Sequence, residues 1–205
     1  MAIPAPQQWS TQGLPYSFKH VTPSYHPPSA RIYFTGGDYA GPTSGGIGTV
    51  DSYRQETWSL SLAEKMAQPS DLTAGWRLEY PYCGPTGQIQ PKHPDYVGLP
   101  WDAQRGVFYM VPGVMETVTQ GDCPGETPDK VDNPGFISGK MMTFDPVTKQ
   151  WSVLGSGDAG DNQDTWMSVL DPVTDTLIRF GLDLKVSIFD IKSQTWSSFG
   201  MPDND

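Results

Sequence analysis

An all-β fold assembled from repeated four-strand modules is what this sequence predicts, on three observations. Glycine (22), proline (20) and aromatic residues (12%) are abundant among 205 residues while only 18% are charged, which favours short strands joined by many turns. Two stretches, "MTFDPVTKQWSVLG" and "SIFDIKSQTWSSFG", repeat one pattern in which Phe-Asp precedes a tryptophan by the same seven-residue interval. A third shared element lies upstream of each closing hairpin. It is a turn followed by a β-branched and aromatic run, in "YHPPSARIYFTGG", "WDAQRGVFYMVPG" and "LDPVTDTLIRFG".

Each element follows from these patterns. In the paired repeats a strand ends at Phe144-Asp145 or Phe189-Asp190, a polar turn ("PVTK", "IKSQ") reverses it, and the returning strand opens at Trp151 or Trp196. The strict place of these tryptophans marks them as packing residues. A short apolar stretch ("FKHVTPS", "DYVGLP", "TWMSVL") precedes every upstream turn, so each module holds about four strands. In the first module "ETWSLSL" reads as the third strand and "GWRLEYPY" as the fourth. Trp58-Ser59 is an alternative closing pair, but it would leave Trp76 without a module. Strands are expected at 31–35, 57–62, 76–80, 106–111, 140–145, 150–154, 176–180, 185–190 and 195–199. Asp102 and Asp171 fall at equivalent turns, where Asp favours the bend by bonding to nearby backbone.

Four-strand modules of this length, each ending in a Trp strand, predict a β-propeller of antiparallel blades. The blades run over about 16–82, 93–155 and 164–200, and "QQWSTQGLP" reads as the outer strand (7–13, with Trp9) of a blade otherwise absent. Three blades and a strand make an incomplete ring, because propellers close with about 4 to 8 blades. Three alternatives stand: the chain is part of a longer polypeptide, two copies complete a ring, or an irregular region hides a fourth blade.

The "YFTGG" doublet followed by "TWSLSL" and Trp76, with "FDPVTKQW" and "FDIKSQTW", resembles kelch-repeat sequence of the galactose-oxidase-like propellers. The resemblance spans most of residues 7 to 200. Only the first module keeps the Gly36-Gly37 doublet; the second has "VPG" and the third a single Gly181. In that superfamily Tyr80, Tyr82 and Cys83 beside His93 would imply the aromatic, thiol and imidazole ligands of a copper-radical oxidase. No other residue of this chain matches that copper site in a recognisable motif.

Composition narrows function further. With 13 Lys+Arg against 23 Asp+Glu, the net charge of -10 repels phosphate backbones, so nucleic acid is not an expected partner. No segment has the roughly 20 apolar residues of a membrane span, and "MAIPAPQQWS" lacks the basic and apolar regions of an export signal. The chain therefore reads as soluble, with its compartment undecided. Cys83 and Cys123 permit one bridge at most. The patterns of serine-elbow hydrolases, Walker A loops, H-E-x-x-H and C-x-x-C are absent.

The long connections, 38–56, 83–94, 115–140 and 155–165, are expected on one face of the scaffold, where binding usually sits. Tyr39, Tyr53, Tyr82 and Trp166 lie in or beside them as platforms for a protein or a glycan. "GDAGDNQD" offers Asp158, Asp161 and Asp164, with Asn162, as oxygen ligands of the kind calcium prefers, without EF-hand spacing. His20 and His93 are candidate metal ligands at comparable places before a first strand. The leading expectation is a non-catalytic binding or assembly module that needs no cofactor. Its partner is a protein, either a second copy or the rest of a longer propeller. A copper oxidase portion and a structural subunit of a larger particle or filament are the alternatives.

Overall fold

The computed structural model describes residues 23–36, 56–81, 90–91, 98–111, 136–137, 141–155, 165–181 and 185–200. Over these residues the fold is all-β, with three four-stranded antiparallel sheets and almost no helix. The N-terminal sheet runs β1 (Ser24–His26), β2 (Arg31–Thr35), β3 (Thr57–Ser61), β4 (Trp76–Tyr80), each strand paired to the next. A two-residue strand, β5 (Gln90–Pro91), follows. The middle sheet consists of β6 (Trp101–Asp102), β7 (Val107–Met110), then β9 (Met141–Asp145) and β10 (Gln150–Gly155). Between β7 and β9 lies β8 (Phe136–Ile137), which pairs in parallel with β5. The C-terminal sheet is a meander of β11 (Thr165–Asp171), β12 (Thr176–Gly181), β13 (Lys185–Asp190) and β14 (Thr195–Gly200).

All nine expected strands lie within one residue of their observed bounds at each end. Trp58 falls in the third strand of its sheet and Trp76 in the fourth, so Trp76 holds the closing place in the first module. The N-terminal 7–13 strand and Trp9 lie outside the described residues.

Turn chemistry explains the tight hairpins. Asp102, Asp145, Asp171 and Asp190 end their strands and accept backbone N–H bonds two or three residues on, from Gln104 (2.8 Å), Val147 (2.7 Å), Val173 (2.9 Å) and Ser193 (2.6 Å). The last residue of each four-residue turn is left-handed: Gly106, Lys149, Asp175 and Gln194. Only Gly106 adopts that conformation without steric cost. The side chains of Lys149 and Asp175 reach the preceding sheet or its turn, Lys149 Nζ to Glu79 Oε2 at 3.0 Å and Asp175 Oδ2 to Arg105 at 2.6 Å.

The β3–β4 connection is long and carries α1 (Leu62–Ala67), whereas "PVTK" and "IKSQ" close the corresponding hairpins of the other two sheets directly. Ser61 caps it by accepting the Glu64 N–H at 3.2 Å, and "LAEKMA" consists of good helix formers.

The core is two interfaces with the middle sheet between them. Along β7, Phe108 and Met110 join Tyr33, Tyr80, Met142, Phe144 and Trp151 in one buried cluster. The alternate residues Tyr109 and Val111 join Met141, Leu177, Phe189 and Ile191 in the other. Successive side chains of a strand point to opposite faces, so a strand covered on both sides reads as an unbroken apolar run, as "VFYM" does. A matching cross-strand ladder recurs in every sheet: Tyr25, Ile32, Leu60, Trp76; Trp101, Phe108, Phe144, Trp151; Leu170, Leu177, Phe189, Trp196. Within the second and third ladders the Phe–Trp rings lie 5.0 and 5.1 Å apart. Both of these ladders face the sheet that precedes them in the chain.

Candidate assembly surface

The C-terminal sheet has the same two-sided pattern as the middle sheet, and the chain provides no later sheet beyond it among the described residues. Leu170, Leu177, Phe189 and Trp196 face inward. On the same side Arg179 is buried, donates to Ser187 Oγ at 3.4 Å and lies 5.5 Å from the Trp196 ring centroid. The alternate residues form two cross-strand rows on the outer face, Met167, Phe180, Val186, Phe199 and Val169, Ile178, Ile188, Ser197. Seven of those eight are apolar. Met167 is 47% exposed, Val169 39% and Phe199 54%.

The repeat gives this face a counterpart. Phe144 corresponds to Phe189 and Phe108 to Leu177, because each stands at the same rung of its ladder. Met141, Leu154, Tyr109 and Val111 in the middle sheet then correspond to Val186, Phe199, Ile178 and Phe180. The first set packs against the C-terminal sheet, with Tyr109, Val111 and Met141 fully buried. The second set carries the same chemistry with Phe199 left exposed.

At the other extreme, the outer face of the N-terminal sheet carries the first ladder. Tyr25 is 55% and Leu78 36% exposed there, Ile32, Leu60 and Trp76 are half-buried, and Phe34 packs on Trp76 at 5.5 Å. Its inner face is polar by comparison. Arg31 donates to Ser59 Oγ at 2.7 Å and to Gly75 O at 2.5 Å, Ser59 Oγ donates to Glu79 Oε1 at 2.5 Å, and Lys149 completes the set from the middle sheet. The buried Arg31 and Glu79 are paired and hydrogen-bonded, as burial requires. Sequence reading passed over them, although Arg31 and Glu79 interrupt the apolar runs "ARIYFTG" and "WRLEYPY".

A second polar set joins the middle and C-terminal sheets. Asp102 accepts Arg105 at 2.7 Å and the Tyr109 hydroxyl at 3.1 Å, while Arg105 also reaches Asp175 at 2.6 Å and so links two sheets. Burial pushes the Asp102 carboxyl up, but these hydrogen bonds together hold it below the usual range. Burial and the bond to Asp102 push the Tyr109 phenol well above its ordinary value. His26 packs edge-on to Trp101 at 4.3 Å and bonds Ser29 Oγ through Nδ1 at 2.6 Å; its burial lowers the imidazole, against a weaker pull from Glu79.

β2 and β4 run the same way within the N-terminal sheet, as β7 and β10 do within the middle sheet. Tyr39, Tyr53, Tyr82, Asp158, Asp161, Asp164, His20, His93, Cys83 and Cys123 all lie outside the described residues. Trp166 falls in β11, where the register shifts between Thr165 and Met167. Among the described residues no group of three or more His, Cys, Asp or Glu gathers to hold a metal, and no helix is long and apolar enough to cross a membrane.

No family model matches the chain, and no curated relative matches it. Among solved structures it is similar to a structural genomics protein of unknown function from Bacteroides thetaiotaomicron, at 11% identity and a TM-score of 0.46. The match covers 86% of this chain and 32% of that one, so the chain spans about a third of that neighbour's length.

Proposed function

We propose that the chain is a non-catalytic binding or assembly module: a segment of a kelch-like β-propeller whose three sheets are consecutive blades. Its outermost blade face packs against further propeller, and its long end loops contact a protein or a glycan. The observation that carries this reading is the outer face of the C-terminal sheet. Positions matching the side of the middle sheet that packs on the C-terminal sheet remain apolar there, with Phe199 54% exposed and its row neighbour Met167 47% exposed. A face made to be seen by water has no use for seven apolar side chains in register.

The test is the migration of the tagged full chain in native extracts of its own cells. Wild type is expected above its monomer mass, and Met167→Lys/Phe199→Lys at the monomer position with unchanged melting. Identical migration of the two contradicts the proposal.

A further inference from the structure

We propose that His26 is a pH-sensitive catch between the N-terminal and middle sheets: in mild acid its charged imidazole loosens that one interface, while the middle and C-terminal sheets stay joined.

The place of His26 in the fold carries this inference. It ends β1, is 6% exposed, and sets its ring among three aromatic rings: Trp101 at 4.3 Å, Tyr33 at 5.5 Å and Phe108 at 5.6 Å. Trp101 and Phe108 belong to the middle sheet, so the imidazole stands in the junction itself. Its Nδ1 bonds Ser29 Oγ at 2.6 Å, a contact that either protonation state can make, because the hydroxyl both donates and accepts. Charge is therefore what changes on protonation.

The surroundings do not welcome that charge. Among the described residues of the N-terminal sheet, Arg31 stands opposite His26 in the strand register and adds a like charge, itself paired with Glu64 at 3.1 Å. Glu79 pulls the other way, but it already accepts Ser59 at 2.5 Å and Lys149 of the middle sheet at 3.0 Å. The Tyr33 and Tyr80 phenols, both raised, stay neutral. From the middle sheet Trp101 and Phe108 bring no charge, and the carboxyl of Asp102 is held by Arg105 and Tyr109. An imidazolium here has lost its water without gaining a carboxylate of its own. Burial accordingly outweighs Glu79 and lowers the imidazole, so the junction is most stable above the unfolded value near 6.5 and weakens as pH falls below it. The other junction has Arg105, Asp102, Asp175 and Arg179, and no described histidine stands there.

Peroxide oxidation of the purified full chain reads the two junctions separately. Met110 and Met142 lie in the cluster shared with the N-terminal sheet and Met141 in the cluster shared with the C-terminal sheet, all fully buried. A thioether has no proton to titrate, so the chemistry of oxidation is the same at both pH values. From about pH 7.5 to about pH 5.5, Met110 and Met142 should oxidise roughly fivefold faster or more, since linkage to one proton allows up to about tenfold per pH unit below the unfolded value. Met141 should stay protected. His26→Gln keeps a partner for Ser29 and takes no charge, so its Met110 and Met142 should oxidise alike at both pH values. His26→Phe, which fills the aromatic site, should do the same and serves if the glutamine loosens the whole chain. Three results overturn the inference. Met141 reacting together with Met110 and Met142 would mark general unfolding, and a pH response surviving in both variants would place the titrating group elsewhere. Unchanged Met110 and Met142 in wild type would mean that the Trp101 ring holds the imidazolium as a cation.

Discussion

Trp151 and Trp196 occupy the same place in the repeat, yet the structure predicts unequal costs for removing them. Trp151 is 4% exposed, stacked on Phe144 within the cluster that joins the N-terminal and middle sheets. A tryptophan buries on the order of 150–250 Å². At about 25 cal/mol per Å² this corresponds to about 4–6 kcal/mol, of which alanine retains a fraction. The Trp151→Ala cost is therefore about 4 kcal/mol, within the usual range for such truncations. Trp196 packs on Phe189 but is only half-buried, so Trp196→Ala should cost about half as much, roughly 2 kcal/mol. Urea unfolding of the two variants at one protein concentration measures the difference. Equal costs, or a larger cost at Trp196, would refute the assignment of Trp151 to a two-sheet interface.

Gly98→Ala should destabilise the chain by about 1–3 kcal/mol, because a Cβ there would overlap the Ser168 side chain across the middle and C-terminal sheets. Ser168→Gly in the same chain should recover part of the loss in thermal melting. Asp102→Ala removes two turn N–H bonds, the Arg105 pair and the Tyr109 bond, and should cost about 2–3 kcal/mol by urea unfolding. Stability should fall with acid in two windows. The lowered His26 imidazole gives stability that is complete above its unfolded value near 6.5 and fades as pH drops below it. The lowered carboxyls of Asp102, Asp145, Asp171 and Asp190 lose theirs below about pH 4, and His26→Gln should abolish only the first window in a pH series of melting curves. Ser61→Ala should cost about 1 kcal/mol and speed amide exchange over 62–67, since Ser61 Oγ accepts the Glu64 N–H.

Much of the fold was legible because its signals are local and repeated. Phe144-Asp145 and Trp151 set a hairpin by themselves, and the same words at 189–196 set it again. What escaped notice was written more faintly. Ser61 caps a short run of helix formers by accepting the Glu64 N–H, but "TWSLSL" reads as strand up to that point and masks the signal. The Arg31, Ser59, Glu79 and Lys149 set depends on residues up to 118 apart in the chain meeting across two sheets, which no period reveals. The candidate site was legible differently. The loop residues Tyr39, Tyr53 and Tyr82 were read from composition and exposure. The apolar outer face of the C-terminal sheet appears only when alternation along β11 to β14 is set against the packing of the middle sheet.

Methionine oxidation tests the central claim most directly, because the chain carries its own controls. Met66, on α1, is 79% exposed, Met167 is 47% exposed, and Met110, Met141 and Met142 are fully buried. In the dilute chain peroxide should oxidise Met66 and Met167 readily and spare the other three. In the assembled protein Met167 should be protected about tenfold or more while Met66 reacts as before, since closing an interface over the outer face excludes the oxidant from Met167 and leaves Met66 in water. Equal oxidation of Met167 in the two states would contradict the account.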